Sequence, residues 1–185
     1  MVSLLPFVFV AAMTLGVSAC APPPAPVAFA GEPGPYVLGP GDKVRLTVYG
    51  QTNLTGVYPV DAGGKVTVPL IGAVPAAGET TSALRAAIAT RLRGGYLRDP
   101  DVTVDVDTYR PFFVLGEVTT AGQYPYEAGM TAEKAVAVAG GFSPRARHDS
   151  VIIARKVDGR IVRVTAPVTA LIEPGDVITA RERWF

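Results

Sequence analysis

The sequence predicts an α+β protein built from two small mixed domains, each with strands around one short helix. Three observations carry this expectation. Segments such as KVRLTVY (43–49) and DVTVDVD (101–107) alternate apolar and polar residues with the period of a half-buried strand. Two stretches with capping residues and glycine stops, TTSALRAAIATRLRGG (80–95) and MTAEKAVAVAGG (130–141), read as short helices with strands on both sides. The 185 residues include 20 Gly and 17 Pro, a composition that suits many turns and few long helices. Seventeen basic residues stand against 16 acidic ones for a net charge of +1, so no basic excess points to nucleic acid or to a charged membrane surface.

Residues 1–19, MVSLLPFVFVAAMTLGVSA, carry no charged side chain, and the first in the chain is Glu32. An apolar run ending in small residues reads as a signal peptide, too short for a membrane span, although its start lacks Lys and Arg. It runs into Val17-Ser18-Ala19-Cys20, which looks like a bacterial lipobox. That resemblance implies acylation of Cys20, which would become the mature N-terminus. The competing reading is an ordinary signal peptide that leaves an idle thiol. Cys20 is the only cysteine, so it serves neither an intramolecular disulfide nor a cysteine metal cluster, which favours lipidation. Ala21 stands where an aspartate tends to hold lipoproteins in the inner membrane, so the expectation is the outer membrane. Residues 20–35 then form a Pro-rich tether, extended and semi-rigid.

The first domain is expected over 36–108. Val44, Leu46 and Val48 form one face of its leading strand. GVYPVDAGGKVTVPLIG (56–72) reads as two extended segments around a turn at Asp61–Gly64, and VPAAGE as a further turn. Thr80, Thr81 or Ser82 can cap the helix, Leu84, Ile88 and Leu92 supply its apolar stripe, and Gly94-Gly95 end it. In the strand 101–107, Val102, Val104 and Val106 face inward and Asp101, Thr103, Asp105 and Asp107 outward.

The second domain is expected over 109–185. FFVLGEV (112–118) is a strand, TTAG a turn and QYPYE another extended piece. A helix opens near Thr131, packs through Ala135, Val136 and Ala139, and stops at Gly140-Gly141. SVIIARK (150–156) and RIVRVT (160–165) flank Asp158-Gly159, a two-residue hairpin signal. A last strand follows Pro174-Gly175-Asp176, which repeats the Pro40-Gly41-Asp42 that launches the first. In both, proline and glycine suit the central positions of a type II turn, and the aspartate can accept local backbone N–H bonds. By residue chemistry alone these are strand-launching turns.

No catalytic constellation, metal site or cofactor site is expected. His148, the only histidine, is placed in a polar loop, SPRARHDS, and a Ser-His-Asp arrangement of three adjacent residues fails on geometry. Gly63-Gly64 lacks the Lys-Ser/Thr and helix of a phosphate loop. Arg145 and Arg147 could meet an acidic partner or sugar, against the blander reading of a solvated surface. The aspartates at 101, 105 and 107 lack the glycine and terminal glutamate of a calcium loop.

Taken in order, LGPGDKVRLTVYG, DAGGKVTVPLIGAVPAAGET, the 80–93 helix and RDPDVTVDVD resemble the first module of bacterial outer-membrane polysaccharide export lipoproteins. VLGEV, AGQYPYEAGMT, AVAGGF, DSVIIAR and the closing PGDVI resemble their soluble-ligand-binding β-grasp module, with Ala121 where proline is usual. The resemblance implies a polysaccharide export domain followed by a β-grasp domain, and a non-enzymatic, homo-oligomeric ring that conducts polymer. It further implies docking on an inner-membrane polysaccharide co-polymerase. Larger members add a C-terminal membrane-spanning helix. Here the last strand is followed only by Glu182-Arg183-Trp184-Phe185, so the expectation is a short-class, lipid-anchored periplasmic ring beneath a separate outer-membrane β-barrel. Asp101, Thr103, Asp105, Asp107, Arg145 and Arg147 are candidates for its lumen or subunit-contact face. The alternative is a periplasmic lipoprotein that binds a saccharide or small molecule through the β-grasp domain.

Overall fold

A computed structural model describes residues 34–157 and 159–183. The expected leader, Cys20, most of the tether, Asp158 and Trp184-Phe185 lie outside the described residues. The chain runs through β1 (Lys43–Val48), β2 (Gly56–Pro59), β3 (Lys65–Val68), β4 (Gly72–Pro75), α1 (Thr81–Arg93) and β5 (Val102–Thr108). It continues with β6 (Phe112–Gly116), β7 (Gly122–Tyr124), α2 (Ala132–Val138), β8 (Ala146–Val157), β9 (Arg160–Pro167) and β10 (Val177–Glu182). The fold is α+β, with strands around two short helices, as the alternation and caps require.

In the first half, β1 lies between β2 and β5, antiparallel to both, while β3 and β4 form a separate hairpin. Val44, Leu46 and Val48 of β1 and Val102 and Val104 of β5 are buried on the predicted face. Across β1 and β5 they sit opposite one another or nearly so: Val48 pairs with Val102 and Leu46 with Val104. Helix α1 closes over this face. Thr80 Oγ1 accepts from the Ala83 N–H at 3.2 Å, Gly94 caps the end, and Leu84, Ile88 and Leu92 are fully buried. Each of these burials contributes roughly 1.5–3 kcal/mol.

The VPAAGE segment departs from its expected turn. Val74 and Pro75 belong to β4, where Val74 pairs with Val66 and is fully buried. A four-residue strand that ends in proline offers too little alternation to be read from sequence. The two segments around Asp61–Gly64 also part company, β2 joining β1 and β3 joining β4, with one bridge, Val60 to Val66, between them.

The second half is a five-stranded mixed sheet in the order β7-β6-β10-β8-β9. Its closing strand β10 inserts between two hairpins, parallel to β6 and antiparallel to β8, with α2 on one face. This is a β-grasp order. Thr131 caps α2, its Oγ1 accepting from the Lys134 N–H at 3.3 Å. Phe112, Val114, Val136, Val151, Ile153 and Ile178 form a second apolar cluster beside the first. The opposite face of the sheet is open, with Phe113 39% and Leu115 44% exposed.

His148 is a second departure. It lies on β8, not in a loop, and its ring stacks on Phe142 with centroids 4.9 Å apart. The strand extends back to Ala146 because Glu182 of β10 pairs with it, a long-range contact that the polar sequence SPRARHDS does not announce.

Candidate functional site

The two Pro-Gly-Asp turns have nearly the same construction. Each closes with an N–H to C=O bond of 3.1 Å, from Asp42 to Gly39 and from Asp176 to Glu173. Gly41 and Gly175 hold the positive φ, at 95° and 88°, that a type II turn demands. Each aspartate accepts the N–H three residues before it at 2.8 Å. Neighbouring strands read both turns alike. Gly41 N–H donates to Val60 and Val60 N–H to Asp42, just as Gly175 N–H donates to Pro111 and Phe113 N–H to Asp176.

Both aspartates are buried, at 0% and 1% exposure. A carboxylate taken out of water needs a cation and a full set of donors. Asp42 takes Arg110: the Arg110 N–H reaches Oδ1 at 2.8 Å and its Nη1 reaches Oδ2 at 3.1 Å, while the Tyr36 hydroxyl donates to Oδ2 at 2.6 Å. Asp176 takes Arg155, whose Nε and Nη2 bind its two oxygens at 3.0 and 2.7 Å.

Arg110 then joins the two turns. Its Nε donates to the Pro174 carbonyl at 2.9 Å, so one guanidinium ties the first turn to the second. A Cβ on Gly175 would stand 2.9 Å from that Nε, which makes this approach one that only glycine permits. The repeated motif thus meets itself in space, at the seam between the two apolar clusters.

A tyrosine ladder lines the same seam. Tyr109 meets Tyr36 and Tyr126 edge-to-face, with centroids 4.9 and 5.4 Å apart. Beside it opens a groove of about 440 Å3, bounded by these tyrosines, Arg155, Lys156 and Glu173. Aromatic walls with a few charged groups at a seam between units suit a small organic ligand. Burial, and then the hydrogen bond to Asp42, push the Tyr36 phenol far above its usual range, and burial also raises Tyr126.

That shift predicts an alkaline weakening. The folded chain keeps both phenols protonated where the unfolded chain releases them, so stability is intact below about pH 10 and falls as pH rises beyond it. Urea denaturation of the purified protein at rising alkaline pH should show this loss. Tyr36→Phe should flatten part of it, and an unchanged slope would refute the assignment.

The other expected residues do not gather here. Asp101, Thr103, Asp105 and Asp107 sit on the exposed face of the first sheet, where Arg45 pairs with Asp107. Arg145 and Arg147 lie on the second unit, paired with Glu182 and Asp149. The Arg147 guanidinium holds the Asp149 carboxyl down at about 2. Sequence reasoning missed Arg110, Arg155 and Tyr36. The one available signal was the aspartates' own need for a cation, and their partners lie 68 and 21 residues away.

A family profile described as "Polysaccharide biosynthesis/export protein" matches residues 30–107, and one described as "SLBB domain" matches residues 111–165. The chain is 35% identical over 119 residues to the exopolysaccharide production protein ExoF of Rhizobium meliloti strain 1021, covering 58% of this chain and 28% of that protein. It is 27% identical over 126 residues to two polysialic acid transport proteins KpsD of Escherichia coli, covering 65% of this chain and 22% of theirs. The chain therefore spans less than a third of the length of these curated relatives.

Proposed function

Because the chain belongs to the polysaccharide export protein family, we propose that it is a non-catalytic component of a capsular or exopolysaccharide export machine. The observation that carries this reading is the ordered match of both profiles along the chain, each over one of the two apolar clusters. The division proposed is an export domain over 36–108 and a β-grasp domain over 109–185. The relatives' names, production and transport, agree with a role in export.

The finer reading is a homo-oligomeric ring, lipid-anchored through Cys20 to the outer membrane with its body in the periplasm. It receives polymer from an inner-membrane co-polymerase and passes it toward a separate outer-membrane barrel. What supports oligomerisation is the face of the second sheet away from α2, where Phe113 and Leu115 of β6 stand partly exposed side by side on one strand. The Asp101, Thr103, Asp105 and Asp107 face, with Arg145 and Arg147, remains the candidate for lumen or subunit contact. Among the described residues no helix is long and apolar enough to cross a membrane.

Two experiments test the reading, one for export and one for the anchor. Deletion should abolish surface or secreted polysaccharide, and the wild-type gene should restore it. Cys20→Ala should move the protein from the membrane to the soluble periplasmic fraction. Normal polysaccharide in the deletion strain would sink the proposal. The junction groove favours a second reading, a saccharide-binding lipoprotein; calorimetric binding of free oligosaccharide with export intact would select it.

A further inference from the structure

The pairing of β8 with β10 breaks at one place. Ala180 pairs with Val151, and the next pair is Glu182 with Ala146. Four residues of β8, Arg147 to Ser150, thus stand opposite Arg181 alone. A ladder interrupted this way lifts the backbone and re-aims side chains, which is why bulges recur beside functional sites. Here it opens a cleft of about 590 Å3, lined by Arg147, His148, Asp149, Arg181, Glu182 and Arg183.

The cleft is over-supplied with cations. Its two carboxylates already carry guanidinium partners: Asp149 binds Arg147 through bonds of 2.6 and 2.9 Å, and Glu182 binds Arg145 from outside the cleft at 3.0 Å. Arg181 and Arg183 have no carboxylate partner among the described residues. Arg181 Nε is moreover buried without a hydrogen-bond acceptor, the one such side-chain atom among the described residues. Native proteins satisfy nearly all buried polar atoms, and a guanidinium N–H is a costly one to leave unpaired. The Phe142 stack holds the His148 ring at this cleft as a further nitrogen donor.

We propose that this cleft is an oxyanion site, with Arg181 and Arg183 binding a carboxylate or phosphate group carried by a sugar. Guanidinium forks match both groups through paired N–H···O bonds, and the charge balance leaves two forks for them. The oxyanion site stands on the cleft alone; only the identity of the carrier as a sugar rests on the export reading.

Isothermal calorimetry of the full chain at low salt tests it, with D-glucuronate, glucose 6-phosphate, inorganic phosphate and neutral glucose as probes. The charged probes should bind and glucose should not. Arg181→Ala should weaken binding roughly tenfold or more, the loss of a charge-assisted pair. Arg183→Ala, at an exposed position, should weaken it in the same direction and keeps the test open if Arg181→Ala fails to fold. Arg160→Ala, on another strand, should leave it unchanged. Preference for glucuronate over phosphate assigns a carboxylate sugar. Preference for glucose 6-phosphate assigns a phosphorylated one. Equal binding of inorganic phosphate supports the site but not the sugar. Absence of binding by every charged probe, or binding indifferent to Arg181 and Arg183, overturns the proposal. Neither result touches the export reading, which the deletion strain decides.

Discussion

Asp42→Ala is expected to destabilise the protein by about 3–5 kcal/mol, because it removes the acceptor from a buried ion pair and leaves the donors behind. Asp42 is fully buried and receives the Gly39 and Arg110 N–H groups, the Tyr36 hydroxyl and Arg110 Nη1. Alanine satisfies none of them. Asp42→Asn keeps the shape but turns a donating amide toward groups that are themselves donors, so it should recover only part of the loss. A small domain commonly holds about 5–15 kcal/mol in total, so the alanine variant would be marginal. Asp176→Ala should cost less, because Arg155 keeps Glu173 and the Leu171 carbonyl as acceptors when the aspartate is gone. The two should differ in kind. The Asp42 variant also releases Arg110 from one side of the seam, and hydrogen exchange should spread across both turns. Urea denaturation gives the energies, and a loss below about 1 kcal/mol for Asp42→Ala would show that the pair contributes little net stability.

Gly116→Ala should be comparably damaging, for a steric reason. Gly116 ends β6 with φ at 84°, and a Cβ there would lie 2.1 Å from the carbonyl oxygen of Ala180. That oxygen accepts the Glu117 N–H at 3.0 Å, beside the parallel β6–β10 pairing. A methyl group can be admitted only by parting the central strands, losing that bond and paying the left-handed backbone penalty. Together these cost about 3–5 kcal/mol. Gly129→Ala is the control. It has φ at 79° with nothing near its Cβ direction, so it carries the backbone penalty of about 1–2 kcal/mol without the clash. Equal melting temperatures for the two variants would refute the steric account.

Much of the fold was legible. The burial pattern of β1 is the alternation of KVRLTVY, and both helices start at the threonines that can cap them. The closing strand begins directly after its Pro-Gly-Asp turn. The exceptions are short or irregular. β4 has four residues, and the start of β8 is carried by polar side chains around a bulge. Period-two reasoning needs several turns of the pattern and an unbroken ladder, and these segments supply neither.

The candidate sites were less legible, and the turns show why. A type II turn is decided by four consecutive residues, so Pro40-Gly41-Asp42 and Pro174-Gly175-Asp176 could be recognised wherever they fell. That each aspartate would be buried, that Arg110 would serve the first and hold the second turn by its carbonyl, depended on the path of the chain between them. Those contacts span 68 and 64 residues. The same holds at Arg181, whose unpaired nitrogen lies where the β8–β10 ladder slips. Strand faces, helix caps and turn types are settled by neighbouring residues and can be read along the chain. Which distant cation answers each buried carboxylate emerges only on folding, because a buried charge requires a partner without specifying where along the chain it must come from.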